Sequence, residues 1–227
     1  VKDTEAYIAS PRGANEISGE EETSLEVEEE EDEKEGEDGS DEVSEEEFDS
    51  YLFMANVPTL ATLKPPPVAP PGLPLKPRHA PKVTLVLDLD ETLVHCSLEK
   101  IDNPDLIFAV PYEGEEFQVY VRKRPGFEQF LSRVSEIFEV AVFTASQKAY
   151  ADKLLNILDP TRKWIHHRLF RESCVQVLGN YLKDLNVLGR ELAKVIIVDN
   201  SPHVFAYQVD NGVPIESWYN DSRDREL

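Results

Sequence analysis

Apolar positions along this chain follow two rhythms. Val83-Thr84-Leu85-Val86-Leu87, Phe138-Glu139-Val140-Ala141-Val142-Phe143 and Val195-Ile196-Ile197-Val198 are short, nearly continuous apolar runs that end in polar residues. Runs of this kind mark strands buried on both faces, as in a parallel sheet. Between them, apolar residues recur at helical spacing. Phe127, Phe130, Leu131 and Val134 follow Pro125-Gly126; Tyr150, Leu154, Ile157 and Leu158 run up to Pro160; Leu185, Leu188 and Leu192 form a third stripe. The alternation predicts βαβ units: an α/β domain of three layers, a mostly parallel sheet with helices on both faces. One stretch breaks the alternation. Leu106–Val110 and Phe117–Val121 flank Glu113-Gly114 and predict a β-hairpin inserted after the first strand.

Charge divides the chain further. Of a net −22, residues 1–50 contribute −19, from 22 acidic and three basic side chains. So acidic a segment, with few apolar groups to offset chain entropy, predicts a disordered tail over 1–47. Residues 58–81 hold nine prolines in 24 positions, which predicts an extended spacer. Between the two, Phe48-Asp49-Ser50-Tyr51-Leu52-Phe53-Met54 is an aromatic cluster inside acidic sequence. It reads as a docking motif, for a partner or for the chain's own domain, or as a stretch that is merely apolar. The organisation expected is thus a tail over 1–47, an aromatic segment and proline-rich linker over 48–81, and a folded domain over 82–227. Ser18 and Ser44 each have Glu three residues on, a pattern acidic-directed kinases favour, although a serine in an acidic run explains it better.

Some functional classes become less attractive. Cys96 and Cys174 form no CxxC pair, so neither a disulfide framework nor a zinc site is expected, and a reducing, intracellular compartment fits. No run approaches the ~20 apolar residues of a membrane helix, and no signal peptide is visible. The acidic tail should not bind nucleic acid directly. The chain starts at Val1 rather than Met, so a fragment is expected.

The chemistry gathers at the strand ends, where open α/β sheets bind ligands. The first strand delivers Asp88 and Asp90, the second Thr144, the third Asp199 and Asn200. A carboxylate fixed beyond a buried strand can attack phosphorus and split one hard step into two. Asp90, two residues on, can protonate the leaving oxygen and then deprotonate water. Thr144 can donate to a phosphoryl oxygen, and Lys183 can supply fixed positive charge. Carboxylate and amide oxygens suit magnesium. His95-Cys96 lacks the arginine a cysteine phosphatase needs, because that position is Asp102.

Asp88-Leu89-Asp90-Glu91-Thr92, Thr144, Lys183 and Asp199-Asn200-Ser201-Pro202, in this order, resemble the four motifs of haloacid-dehalogenase-superfamily phosphatases. Asp88–His95, Arg122-Lys123-Arg124-Pro125, Phe143-Thr144-Ala145-Ser146 and Phe170–Cys174 resemble, more narrowly, the small phosphatases of the RNA polymerase II C-terminal domain. Ala151–Asn156, Phe205–Gln208, Ile215–Trp218 and the upstream Phe48, Tyr51 and Phe53 are similar to the small-phosphatase-like 2 branch. The resemblance covers residues 82–227 and implies a haloacid-dehalogenase-like, Rossmann-like fold with a small hairpin and no large cap domain. It implies a magnesium-dependent phosphoserine/phosphothreonine protein phosphatase, monomeric, in the nucleus or in nucleus and cytoplasm. By position, Asp88 is nucleophile and metal ligand, and Asp90 is acid/base with its carbonyl on the metal. Asn200 is the third ligand, Asp199 holds Lys183, and Arg171 reaches toward the phosphopeptide, with Arg168 and Arg162 as competitors. Tyr150 walls a pocket for a proline after the phosphoserine, or else simply packs in the core. The other wall, aromatic in the family ten positions after the nucleophile, is Leu98 here. The family also continues into further helix beyond Leu227. Two alternatives are a small-metabolite phosphatase, disfavoured because the insertion is too short for a large cap, and an interaction scaffold working through the acidic tail.

Overall fold

The computed structural model describes residues 48–63, 72–112 and 114–227. The predicted acidic tail, with Ser18 and Ser44, and the centre of the proline-rich stretch lie outside the described residues. In chain order the elements are α1 (Ser50–Ala55), β1 (Thr84–Leu87), β2 (Val94–Ser97), β3 (Leu106–Tyr112), β4 (Glu115–Lys123), α2 (Phe127–Ile137) and β5 (Glu139–Phe143). There follow α3 (Lys148–Leu158), β6 (His167–Leu169), β7 (Val175–Val177), β8 (Asn180–Leu182), β9 (Val195–Asp199) and β10 (Gly212–Pro214). The central sheet has the order β10-β9-β1-β5-β6, and every neighbouring pair is parallel. The three apolar runs form its middle: Leu85 of β1 stands opposite Val140 of β5 and Ile196 of β9.

The period of two along each strand sorts the core into two layers. Leu85, Leu87, Val140 and Val142 pack with Phe127, Leu131, Leu154 and Leu155 of α2 and α3. Val86, Ala141, Phe143 and Ile197 face the other way, against Leu185, Leu188, Val204 and Phe205. Helices were expected on both faces, yet α2 and α3 cover one. The Leu185, Leu188, Leu192 stripe forms two short 3-10 turns instead, Leu185–Leu188 and Leu192–Lys194. The reason is local: Gly189 between them adopts a left-handed φ of 60°, which ends the first turn.

The hairpin expected after the first strand is present, with β3 and β4 in register from Leu106–Val121 to Tyr112–Glu115. It is larger than predicted, because β2 pairs with β4 to make a three-stranded sheet. Val94-His95-Cys96-Ser97 is too polar and too short to read as a strand. This sheet packs on α3 through Phe108, whose ring stacks on Tyr150 at 6.1 Å, and Lys153 Nζ donates to Ala109 O at 2.6 Å. Among the described residues, no helix is long and apolar enough to cross a membrane.

Part of the expected spacer belongs to the packed unit. Leu73 N donates to Leu188 O at 3.0 Å, and Arg190 Nη2 donates to Pro74 O at 2.8 Å. Lys76 Nζ reaches Thr84 Oγ1 at 3.1 Å and the Glu139 carboxylate at 3.0 Å. The folded unit therefore starts upstream of Pro81, because Glu139 collects charge from both sides of that boundary. Its buried carboxylate also accepts from Thr84 Oγ1 at 2.7 Å and from Arg190 at 2.9 Å, and lies 3.2 Å from His167 Nε2. Burial alone would raise the Glu139 pKa, but Arg190, Thr84 and Lys76 outweigh it and hold it well below the carboxylate range. A depressed carboxylate adds stability above its unfolded pKa and loses it as pH falls. Glu139→Ala should lower unfolding free energy by about 3 kcal/mol at pH 7, because it strands Arg190 and Lys76. Urea titrations at several pH values check this, with the gap between variant and wild type narrowing below about pH 4.5; identical midpoints at pH 7 would contradict it.

Candidate active site

Because β1, β5 and β9 are parallel and in register, the residues that follow them meet at one edge of the sheet. The chain after β1 turns tightly there. Asp88 N donates to Val198 O at 3.0 Å, Leu93 N and Val94 N both donate to Leu89 O, and Glu91 N donates to Val94 O at 2.7 Å. Glu91 takes a left-handed φ of 57° to make the turn, a conformation a non-glycine residue adopts at some cost. Leu89 and Leu93 anchor the loop in the core with no exposed surface.

Lys183, just past β8, enters this edge and is fixed by its backbone N–H to Val204 O at 2.6 Å. Its ammonium donates to Asp88 Oδ1 and to Asp199 Oδ2, both at 2.5 Å, and all three side chains are buried. Burial alone would lower the Lys183 pKa, but Asp199 and Asp88 outweigh it and hold the ammonium charged above the ordinary lysine range. Asp199 also accepts from Ser201 N at 2.9 Å.

Asp90 sits in a different environment beside this cluster. Tyr150 donates to Oδ1 at 2.6 Å; Ser146 Oγ, at 2.8 Å, and Thr144 Oγ1, at 3.5 Å, donate to Oδ2. Burial, Glu91 and Asp88 push its carboxyl up to about 7, with Tyr150 and Ser146 pulling against them. Two neighbouring carboxylates are thus treated differently: Asp88 is paired with a cation, and Asp90 is held by hydroxyl donors. Such a division is how one site separates a nucleophile from an acid.

The Asn200 amide is oriented by two contacts. Its Nδ2 donates to Ser217 Oγ at 2.9 Å, and its Oδ1 accepts from Thr92 Oγ1 at 3.2 Å. No group of three or more His, Cys, Asp or Glu that could hold a metal stands among the described residues. The sequence-predicted set is of another kind: the Asp88 carboxylate, the Asp90 backbone carbonyl and the Asn200 amide oxygen, at the ends of adjacent strands. That hard-oxygen chemistry fits a divalent cation such as magnesium.

The proposed substrate residues fare unequally. Arg171 lies beside the edge: its N–H donates to Ser146 O at 3.0 Å, its Nε donates to Ala145 O at 2.6 Å, and its guanidinium lies over the Tyr181 ring. Its competitors are placed elsewhere. Arg168 is tied to Asp152 at 2.8 Å and Asn156 at 2.7 Å, and Arg162 lines a cavity with Glu139, at the start of β5, and His166. Leu98 is half-buried against the main core. Of the two readings of Tyr150, the buried one describes its position here: it has no exposed surface, and its hydroxyl donates to Asp90 Oδ1 at 2.6 Å. Cys174 is buried and pushed up to about 12 by burial, and Cys96 is likewise raised by burial, so neither is an activated thiol.

Sequence reasoning missed Ser146 and Arg124 as working parts. Ser146 had a signal, since it lies two residues past Thr144 and can face the same edge. Arg124 lies in the Arg122–Pro125 stretch that carries the resemblance, but its partners are distant in sequence and could not be read from it. Its buried guanidinium makes a two-point pair with Asp224 at 2.8 and 2.7 Å, and donates to Thr92 O and Glu216 O. It thereby clamps the Asp88–Val94 loop to the C-terminal segment, where Trp218 N also donates to Glu91 O at 2.8 Å. Arg124→Ala should cost about 2 kcal/mol or more in urea unfolding, because it empties a buried site and removes the donor to Thr92 O and Glu216 O. Arg124→Lys should recover little, since an ammonium cannot reproduce the fork; full recovery would show that charge alone matters.

Residues 83–227 match the family model described as NLI interacting factor-like phosphatase. The chain is 58% identical over 181 residues to "CTD small phosphatase-like protein 2" of Dictyostelium discoideum, covering 80% of this chain and 31% of that protein. It is 53% identical over 181 residues to "CTD small phosphatase-like protein 3" of Caenorhabditis elegans, covering 80% of this chain and 62% of that protein. The chain thus spans less than two thirds of either relative. Among solved structures, one titled "The Structure of Fcp1, an essential RNA polymerase II CTD phosphatase" superposes with a TM-score of 0.53 at 25% identity, over 61% of this chain and 42% of that one. The matched region carries the whole central sheet and every member of the Asp88, Asp90, Lys183, Asp199 cluster, and by that match the chain belongs to the NLI interacting factor-like phosphatase family.

Proposed function

We propose that this domain is a magnesium-dependent phosphoserine/phosphothreonine protein phosphatase that works through an aspartyl-phosphate on Asp88. The observation that carries the reading is Lys183 gripped between Asp88 and Asp199 at 2.5 Å, with Asp90 beside it under separate hydroxyl donors. In the first step an Asp88 carboxylate oxygen attacks phosphorus, and the bond from phosphorus to the seryl or threonyl oxygen breaks. Asp90 gives its proton to that leaving oxygen. In the second step Asp90 takes a proton from water, the hydroxide attacks the same phosphorus, and Asp88 leaves as carboxylate with inorganic phosphate released. Lys183 offsets the charge on the phosphoryl oxygens and pairs with Asp88, while Asp199 holds the ammonium in place. The Thr144 hydroxyl, 3.5 Å from Asp90 Oδ2, is the proposed donor to a phosphoryl oxygen. Asp88, the Asp90 carbonyl and Asn200 would hold magnesium, which would supply a second positive charge against the phosphoryl group.

The substrate class follows from the insertion and from likeness. A three-stranded sheet within the 39 residues between β1 and α2 leaves less covering material than a cap domain, which favours a polypeptide segment over a small metabolite. The relatives' names point to a phosphorylated RNA polymerase II C-terminal domain or another nuclear phosphoprotein. Arg171 is the proposed contact for the phosphopeptide. Leu98 offers an aliphatic surface to a following proline, so selectivity for proline should be weaker than an aromatic wall would give.

Asp88→Asn should lose phosphate release from a phosphoserine peptide by on the order of 10³-fold or more, with far-UV circular dichroism unchanged. EDTA should abolish wild-type turnover and added magnesium restore it; EDTA-resistant turnover or a strong preference for sugar phosphates would sink this reading. Tyr150→Phe removes one charged-acceptor hydrogen bond from Asp90 and should lower kcat about tenfold or more, with KM little changed in steady-state kinetics.

A further inference from the structure

The upstream aromatic segment packs behind the catalytic edge, and its point of contact is His203. The Asp49 carboxylate accepts from Tyr51 N at 2.9 Å and Leu52 N at 3.0 Å, which caps α1. The cap sets Phe48 and Phe53 against one imidazole: both rings meet His203 edge-on, at 4.9 and 5.8 Å, and each other at 5.5 Å. Ser50 Oγ lies 3.5 Å from His203 Nδ1. Phe53 of α1 and, beyond it, Val57, Leu60 and Leu63 pack on a cluster of Val175, Val177 and Leu182, and Tyr207 donates its hydroxyl to Pro58 O at 2.9 Å. A helix of six residues is not stable alone, so these contacts are what hold it.

Two of these anchors, Leu182 and His203, lie close in the chain to members of the candidate site. Leu182 immediately precedes Lys183. His203 belongs to the turn that carries Asp199 and Asn200, a turn closed by Ser201 N to Asp199 Oδ1 and Val204 N to Ser201 O, and linked to Lys183 by its N–H to Val204 O. Burial and the nearby Lys183 ammonium push the imidazole down to about 4, so it is neutral near pH 7 and packs as an aromatic edge. The 181-residue matches to both relatives exceed the 145 positions of residues 83–227 by 36. Since the chain ends at Leu227, those matches extend upstream of the family region.

We propose that His203 is a positioning residue gripped by Phe48 and Phe53, and that residues 48–63 are a working part of the catalytic unit, holding the 199–204 turn and Lys183 in place. The inference deepens the proposed phosphatase reading and rests on it for its kinetic arm. Its structural arm is independent of activity.

The test uses the full 227-residue chain and compares wild type, Phe48→Ala/Phe53→Ala, His203→Ala, His203→Phe and a deletion of residues 1–47. Amide hydrogen exchange is followed by mass spectrometry in the metal-free proteins, alongside kcat and KM for para-nitrophenyl phosphate with magnesium. The double alanine variant and His203→Ala should exchange about tenfold faster over 199–204 while β1 and β5 stay protected. The same two variants should lose about tenfold in kcat with KM within about twofold. His203→Phe keeps the ring edge and should recover most of both, and the 1–47 deletion should change neither. Wild-type exchange over 199–204 in a variant whose 48–63 amides have become freely exchanging overturns the proposal, as does unchanged kcat in that variant. Should the double alanine variant unfold globally, Phe53→Leu, which keeps apolar volume, replaces it: faster exchange at 199–204 supports the proposal, and wild-type exchange overturns it. An inactive wild type would fail the phosphatase reading alone, since the exchange arm still decides the positioning role.

Discussion

A lysine with about 1% of its surface exposed is costly to keep charged unless opposite charge is buried with it. Lys183 meets that condition with two carboxylates, Asp88 and Asp199, each at 2.5 Å. The rest of the edge is arranged so that this cluster can exist. β1 and β9 deliver its carboxylates in register, the turn at Ser201 orients Asp199, and the backbone bond from Lys183 to Val204 brings in the cation. Asp90, two residues on from Asp88, is supplied with hydroxyl donors rather than a cation. Without the lysine, three carboxyl groups would crowd one buried edge and repel each other out of the charged state.

Two further buried charges hold the domain together at places the chemistry does not touch. Arg124 ties the Asp88–Val94 loop to the C-terminal segment through Thr92, Glu216 and Asp224. Glu139, at the start of β5, ties the sheet to the residues before β1 and to Arg190. Each is a hub whose partners are far apart in sequence, so each converts local strand geometry into a fixed relation between distant segments. The left-handed Glu91 is tolerated because Trp218 and Val94 bond to its backbone from either side.

These hubs redraw the chain's organisation. The residues just before β1 look like a spacer because of their prolines, yet Leu73, Pro74 and Lys76 all bond to the domain. The aromatic segment was open between partner docking, self-docking and no role; among the described residues it packs on its own domain, at His203 and Tyr207. Proline fixes φ and removes donors, but its carbonyls still accept, and Arg190 and Tyr207 use Pro74 and Pro58 in this way.

By itself the sequence determined the sheet, since β1, β5 and β9 are continuous apolar runs and burial on both faces is a property of composition. It determined α2 and α3 from apolar spacing, and it determined which polar residues would share an edge, because strand ends in a parallel sheet lie on one side. Tertiary structure decided what apolar spacing could not. It turned the Leu185, Leu188, Leu192 stripe into 3-10 turns around a left-handed Gly189. It added β2, whose polar residues are paired by backbone bonds to β4 rather than by burial. It set the Tyr150 hydroxyl on Asp90, and gave Arg124 and Glu139 their partners. The division has one physical cause. Burial patterns repeat over a few residues and are written locally, whereas the partner of a buried charge is chosen by chain segments that become neighbours only when the fold closes.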